Sequence, residues 1–203
     1  MIIVITRECI TEWGDWMYTM CVTEKTAEQQ HVFEQTFLQM MLEFHYDEIT
    51  ISDLCRRAGL SRKIFYRLFN KKADVLYSLI DHTLMESDYY TPDESVGSGE
   101  LHRFFAFWKS QKDLLDALLM HQNSSLLTDR AIRFAMKEEG SPVRNFGSQE
   151  HQGSYEAIVF YLSGMFSLLL VWHAQGYKQS IDEMANVVMD ILTKPAIQDP
   201  SQV

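Results

Sequence analysis

Residues 50–69, TISDLCRRAGLSRKIFYRLF, constrain the fold of this chain more than any other segment. Apolar side chains recur there at helical spacing on both sides of a short turn, Ala58-Gly59-Leu60. Glycine suits such a turn because, without a Cβ, it tolerates the left-handed backbone that ends many helices. The spacing therefore predicts a helix-turn-helix, a motif whose second helix can enter a groove of DNA.

Residue chemistry at the ends of the two predicted helices agrees with this motif. Thr50 and Ser61 stand where a hydroxyl can accept a hydrogen bond from a free backbone amide. Asp53, three residues after Thr50, is expected to complete a capping box. The inward stripes are expected to be Ile51, Leu54, Cys55 and Ala58, then Ile64, Phe65, Leu68 and Phe69. The outward residues of the second helix are expected to be Arg62, Lys63, Tyr66 and Arg67.

Charge is spread unevenly along the chain. The 203 residues include 18 basic and 28 acidic ones, a net charge of −10. Residues 49–73 hold seven basic residues and one acidic one, so this window carries +6 and the remainder −16. Phosphate neutralisation acts over roughly one Debye length, about 8 Å. A basic island on an acidic chain therefore favours a DNA-binding face, although a solvated helix surface is the alternative explanation.

Residues 26–76 resemble the DNA-binding domain of the TetR/AcrR family of bacterial transcriptional regulators. The resemblance rests on a first helix with Phe33, Phe37, Met41 and Phe44 on one face, on ITISDLCRRAGLSRKIFYRLF, and on NKKADVL. It implies a three-helix domain whose third helix reads DNA, with Tyr66 and Lys72 contacting phosphates. It also implies a twofold dimer on a palindromic operator, and repression rather than activation.

Eight residues are predicted to contact DNA. Arg62 and Lys63 begin the second motif helix, from where they can reach base edges such as guanine O6 and N7. Tyr66, Arg67 and Lys72 are better placed for phosphate. The full predicted set is Thr50, Ser61, Arg62, Lys63, Tyr66, Arg67, Lys71 and Lys72.

Helical patterns continue to the end of the chain, and no alternating run is long enough for a sheet. They cover residues 72–85, 100–109, 112–121, 126–137, 155–175 and 180–192. We expect an all-α fold, with a helix-turn-helix domain at 26–72 and a helical effector-binding and dimerisation domain at 73–194. Residues 195–203 are expected to be a tail. Residues 1–25 are expected to be an extension, either disordered or upstream of a start at Met17 or Met20.

The apolar stretch at 157–172, AIVFYLSGMFSLLLVW, is shorter than the roughly 20 residues of a membrane span. We therefore expect no membrane association and burial of this helix against neighbours. A second copy of the chain is the expected neighbour, with Gly164 allowing close approach. The predicted dimer face is Ala157, Phe160, Gly164, Leu168, Val171, Met184, Val188 and Ile191. The alternative is that these side chains close only the core of one chain.

Aromatic and sulfur-containing side chains are frequent in the second half of the chain. In the resembled family the corresponding domain holds a small-molecule cavity, which implies an apolar or aromatic effector that releases DNA. The predicted lining is Phe104, Trp108, Met120, His121, Phe134, Tyr161, Met165, Trp172 and His173. The alternative is that they form an ordinary core.

We predict no catalytic residues, no metal and no cofactor, and so no enzyme. The seven histidines lack a spacing such as His-x-x-x-His, and no Gly-rich phosphate loop occurs. Three irregularly spaced cysteines favour free thiols in a reducing cytoplasm. The competing hypothesis is a helical interaction protein whose helix-turn-helix holds a protein partner, without DNA or effector.

Overall fold

The computed structural model describes residues 23–87, 98–137 and 153–193. In these ranges it contains nine α-helices, one 3-10 helix and no strand, so the expected all-α class is confirmed. Nearly all of the predicted N-terminal extension and the C-terminal tail lie outside the described residues.

The helix ends agree with the sequence pattern. The helices are α1 (Glu24–Glu43), a 3-10 helix (Tyr46–Glu48), α2 (Ile51–Ala58), α3 (Arg62–Leu68), α4 (Lys72–Glu86), α5 (Ser98–Ser110), α6 (Lys112–Met120), α7 (Ser124–Lys137), α8 (Tyr155–Ala174) and α9 (Ile181–Thr193). From α4 onward, every helix expected from the sequence is present, with its ends within about two residues of the expected ones.

Internal contacts divide the chain into two compact units. Of the described residues, the first unit holds 23–84 and 113–137, and the second holds 85–87, 98–112 and 153–193. The predicted domain boundary at residue 73 puts α4 in the second domain, whereas its contacts group it with α1, α2 and α3. The first unit also contains α7 and nearly all of α6.

An aromatic cluster fixes α3 against α1 in the first unit. Phe33 is fully buried, and its ring meets Phe65 and Phe69 edge to face with centroids 5.5 and 6.0 Å apart. Burying one such ring stabilises the fold by at most about 3 kcal/mol. Phe44, predicted to share this face of α1, is instead 46 % exposed. It is the C-cap of α1, where extended backbone turns it away from the helix axis.

Buried charged groups connect α1, α4 and α7 within the same unit. The guanidinium of Arg130 on α7 donates to both carboxylate oxygens of Asp81 on α4. Glu34 on α1 is 1 % exposed and accepts a hydrogen bond from Ser78, with His82 Nδ1 at 3.0 Å. Buried charges are tolerated only with such partners, so these pairs fix which faces of the helices meet.

In the second unit, α5 packs against α9 and α8. Phe166 on α8 meets Phe104 and Trp108 on α5, with ring centroids 5.6 and 5.3 Å apart. Trp172 meets Phe105 in the same edge-to-face manner at 5.5 Å. Aromatic quadrupoles favour this edge-to-face geometry, and all five rings are at most 1 % exposed.

Helix α8 extends beyond the apolar stretch at 157–172 at both ends, as the predicted helix at 155–175 did. It has 20 residues, and its most apolar 18-residue window has a mean hydropathy of 1.8. The argument that this stretch is too short to cross a membrane is therefore wrong, because by length and composition alone α8 qualifies. Of that window, 44 % is buried inside the folded chain, and buried core helices meet the same two criteria.

Candidate nucleic-acid interface

The turn of the predicted motif forms as expected. Gly59 has a φ of 67°, in the left-handed region, and the amide of Leu60 donates to the Cys55 carbonyl at 3.1 Å. Thr50 Oγ1 accepts the Asp53 amide at 3.1 Å and Ser61 Oγ accepts the Ile64 amide at 3.3 Å. In a capping box the Asp53 carboxylate would accept the backbone amide of Thr50. Here it accepts the Thr50 side-chain hydroxyl instead, at 2.6 Å.

The inward and outward faces of α3 also agree with the prediction. Phe65, Leu68 and Phe69 are at most 2 % exposed, and Ile64 is partly buried. The exposed residues of the helix are Arg62, Lys63, Tyr66 and Arg67. Inward packing therefore leaves one cationic and phenolic face of α3 open to solvent.

Two of the seven cations in the basic window are paired with carboxylates. Arg56 contacts Asp53 on the same helix, and Arg57 makes two hydrogen bonds to the carboxylate of Glu43 on α1. These bonds lower the pKa of Glu43 and raise that of Arg57. Asp53 is already subtracted in the window's +6, whereas Glu43 lies outside the window and lowers the charge at this surface by one further unit.

The cations of α3 have different neighbours. The Arg62 guanidinium lies 5.9 Å from the Tyr66 ring centroid and donates to the Tyr66 hydroxyl at 3.5 Å, which raises the Arg62 pKa. Arg67 donates to the side-chain carbonyl of Gln29 on α1 at 2.6 Å. Lys63 is exposed and makes no hydrogen bond or ion pair with the described residues. Arg62 and Lys63 are therefore the α3 cations with the fewest strong contacts to the rest of the chain.

Lys71 and Lys72 are adjacent but differ in their surroundings. Lys71 is exposed, and its Nζ lies 6.0 Å from the Tyr77 ring centroid. Lys72 is partly buried and donates to the carbonyl of Tyr46 at 2.6 Å. Of these two predicted DNA contacts, Lys71 is open to an incoming anion, whereas the ammonium of Lys72 is engaged by the chain itself.

The predicted effector residues divide between the two units. Met120, His121 and Phe134 belong to the first unit, and the other six belong to the second. Met120 is 57 % exposed, an exposure at odds with lining an enclosed cavity. All six predicted effector residues that belong to the second unit are buried: Phe104, Trp108, Tyr161, Met165, Trp172 and His173. Phe104 and Trp108 pack against each other with ring centroids 6.4 Å apart, as in an ordinary core.

The predicted dimer residues also divide, by exposure. Met184 and Val188 are 4 % exposed and pack inside the chain, whereas Phe160 is 75 % and Ile191 67 % exposed. The remaining members are Ala157, Gly164, Leu168 and Val171, of which Gly164 and Val171 are exposed and the others partly buried. Several of these residues line an apolar groove of about 540 Å³ along α8 and α9.

Sequence reasoning missed the contacts made by Tyr46 and His121. His121, a predicted effector ligand, has its Nε2 2.7 Å from the Met41 carbonyl. Its Nδ1 accepts the backbone amide of Tyr46 at 3.4 Å. No spacing pattern connects residues 75 positions apart, so only the folded chain reveals this contact.

The chain matches no protein-family model, and no curated protein matches it. In the described part of the chain, no three His, Cys, Asp or Glu side chains are grouped as a metal site requires. A functional assignment therefore rests on the geometry of α2 and α3 and on the charges they carry.

Proposed function

We propose that this protein is a sequence-specific DNA-binding transcriptional regulator of the TetR/AcrR type, acting as a repressor on a palindromic operator. One observation carries the proposal: the outer face of α3 is exposed and cationic, while Phe65 and Leu68 on its inner face are buried. A capped helix held by an aromatic core is a rigid element that can enter a major groove.

The role proposed for each residue on the outer face of α3 follows from its position along the helix and from the side chains beside it. Arg62 and Lys63 begin α3 and are assigned to base edges, where guanine offers two acceptors. Tyr66, Arg67 and Lys71 are assigned to phosphates, which fix the register of the protein on the duplex. Thr50 and Ser61, which cap α2 and α3, lie at the ends of these helices where the backbone can approach the strand.

We infer that the protein binds DNA as a homodimer formed through α8 and α9. Phe160, Val171, Val187 and Ile191 are each at least 45 % exposed, an unusual amount of apolar surface for two neighbouring helices. A second copy would cover this surface and the groove beside Gly164. Twofold symmetry would present two α3 helices to half-sites roughly 34–36 Å apart.

The release of DNA by a small apolar or aromatic effector stays a prediction. It is supported by the abundance of aromatic and methionine side chains in the second unit. A ligand can release DNA only if it binds the DNA-incompetent form more tightly than the competent one. Operator affinity unchanged by every compound that binds the protein would rule this switch out.

Replacement of Lys63 by alanine tests the assigned function. Duplexes selected from a random pool provide the operator. Lys63→Ala should weaken the free energy of binding to it by about 1–3 kcal/mol and relax the preference at one base position. Lys178→Ala is the matched control, because it removes an exposed positive charge from the turn after α8. Equal effects of the two substitutions would contradict a base-reading role for α3.

A helical interaction protein remains the competing function. Its helix-turn-helix would hold a protein partner, and any association with a duplex would be absent or insensitive to salt. Binding that weakens steeply between about 50 and 200 mM salt indicates phosphate neutralisation and supports DNA binding instead.

A further inference from the structure

Lys72, the first residue of α4, directs its ammonium at the 3-10 helix before α2. Its Nζ lies 2.6 Å from the Tyr46 carbonyl, 3.1 Å from that of Ile49 and 3.4 Å from that of Asp47. An ammonium group has three N–H donors, so three backbone carbonyls are enough to occupy it. A DNA phosphate could be bound only by giving up these contacts.

The position of these carbonyls explains why a cation is held there. The 3-10 helix ends at Glu48 with Ile49 as its C-cap. The Tyr46 carbonyl also accepts the Ile49 amide at 3.3 Å, whereas carbonyls nearer the end of a helix lack partners within it. They carry partial negative charge, which a lysine can satisfy. The ammonium also lies 4.3 Å from the Tyr46 ring centroid, close enough for a cation–π interaction.

Other parts of the first unit hold Tyr46 as well. Its ring meets Phe37 on α1 edge to face, with centroids 6.0 Å apart. Its amide donates to His121 Nδ1, which leaves Nε2 of a neutral imidazole to donate to the Met41 carbonyl. Contacts with Phe37, Lys72 and His121 therefore hold residues 46–49 in place immediately before Thr50, the N-cap of α2.

We propose that Lys72 is a positioning residue, which fixes residues 46–49 and so the orientation of the helix-turn-helix, and that it does not neutralise a DNA phosphate. This inference rests on the proposed DNA-binding function. It replaces the phosphate role predicted for Lys72 from the family resemblance. Lys71, exposed and one residue earlier, is the cation available for phosphate at this point of the chain.

Methionine substitutions at the two adjacent lysines test the proposal. Lys72→Met keeps most of the aliphatic stem and removes the ammonium, and Lys71→Met is the matched control for loss of one charge. Affinity for the selected duplex is measured against salt at a temperature where each variant is fully folded, and amide hydrogen exchange is followed at 46–52. For Lys72→Met we expect binding about five- to tenfold weaker, an unchanged salt slope and faster exchange. Lys71→Met should leave the exchange unchanged.

Two results for Lys72→Met would overturn the proposal. One is a salt slope that is smaller in magnitude by about 0.9 per protomer while amide exchange at 46–52 is unchanged, because this combination marks a lost phosphate contact. The other is wild-type affinity and slope, which marks a lysine that affects stability alone.

A second variant covers the case in which Lys72→Met does not fold. Lys72→Arg keeps the charge for a phosphate, but its planar fork does not match three converging carbonyls. We expect it to bind more weakly with an unchanged slope, and wild-type affinity would overturn the proposal. Wild-type protein without salt-dependent duplex binding would refute the proposed function itself, and no positioning role would then remain.

Discussion

Each basic residue between 49 and 73 carries the same formal charge, but its neighbours decide what that charge can do. Arg57 is held by the Glu43 carboxylate, and Lys72 by backbone carbonyls, whereas Lys63 is exposed and makes no hydrogen bond with the part of the chain that the structure describes. Counting charges along the sequence treats these residues as equivalent. The side chains able to meet DNA are therefore fewer than the window suggests.

Cys55 provides a test of the packing of α2 at the residue scale. It is 5 % exposed, and burial raises the pKa of its thiol, so little thiolate is available for alkylation. In a Cys9→Ser, Cys21→Ser background, we expect native Cys55 to react with iodoacetamide at pH 8 at least about 100-fold more slowly than after unfolding. Mass spectrometry measures the two rates. Similar rates would mean that α2 does not turn this face inward.

At the scale of elements, the contact between α1 and α2 predicts a pH dependence. The pKa of Glu43 is lowered from its ordinary 4.5, first by the hydrogen bond from Arg57. A carboxyl with a lowered pKa in the folded state stabilises it above the unfolded value, and that stabilisation is lost as pH falls through the folded value. Near pH 6 the wild-type protein should therefore have a higher melting temperature than Glu43→Gln, and this difference should vanish toward pH 3.

Thermal melts of these two proteins between pH 3 and pH 7 provide the measurement. The pair is exposed to solvent, so the difference should be small and should shrink at high salt. Glu28→Gln serves as a control, because it neutralises an exposed carboxylate of α1 that forms no ion pair with the described residues. A difference that grows as the pH falls would contradict the assignment.

The ion pair between α4 and α7 predicts strong non-additivity. Asp81 is 2 % exposed, so Arg130→Met should remove the cation that pairs with a buried carboxylate and cost about 3–5 kcal/mol of unfolding free energy. Adding Asp81→Leu removes that charge, and the double variant should be more stable than Arg130→Met alone. Urea denaturation measures all three proteins. Additive losses would show that the two groups do not interact.

The sequence was sufficient for the helices and insufficient for contacts between distant residues. Periodicity and caps predicted α2, α3 and the turn at Gly59, because these depend on residues within a few positions of each other. Phe44 was placed wrongly on α1 because periodicity does not show where a helix stops. The contact of Lys72 with Tyr46 spans 26 positions and depends on how α4 packs, which no local pattern encodes.

At the scale of the whole molecule, exposed apolar surface on α8 and α9 distinguishes a single chain from an assembly. Met184 and Val188 of the predicted dimer face turn out to serve the core of one chain, whereas Phe160 and Ile191 remain exposed. The core alternative drawn from the sequence therefore applies to Met184 and Val188, and the dimer face stays a prediction for the exposed residues. A dimer would use only the exposed part.

Phe160→Glu tests this assembly. A carboxylate at a buried dimer contact would be desolvated without a partner, so we expect the dimer dissociation constant to rise at least about 100-fold. Light scattering at micromolar concentration distinguishes monomer from dimer. Val32→Glu, which alters an exposed apolar residue on α1, should leave the dimer intact. Wild-type protein that is monomeric under these conditions would remove the dimer from the account.

The central claim is that α3 binds duplex DNA through phosphate neutralisation and base contacts. Its most direct test is the affinity of wild-type protein for a selected duplex between 50 and 200 mM salt. A dimer using two or more cations per protomer should give a log–log slope of about −4 or steeper, and Arg62→Ala with Lys63→Ala should abolish sequence preference. A slope near zero, or wild-type preference in that double variant, would contradict the account.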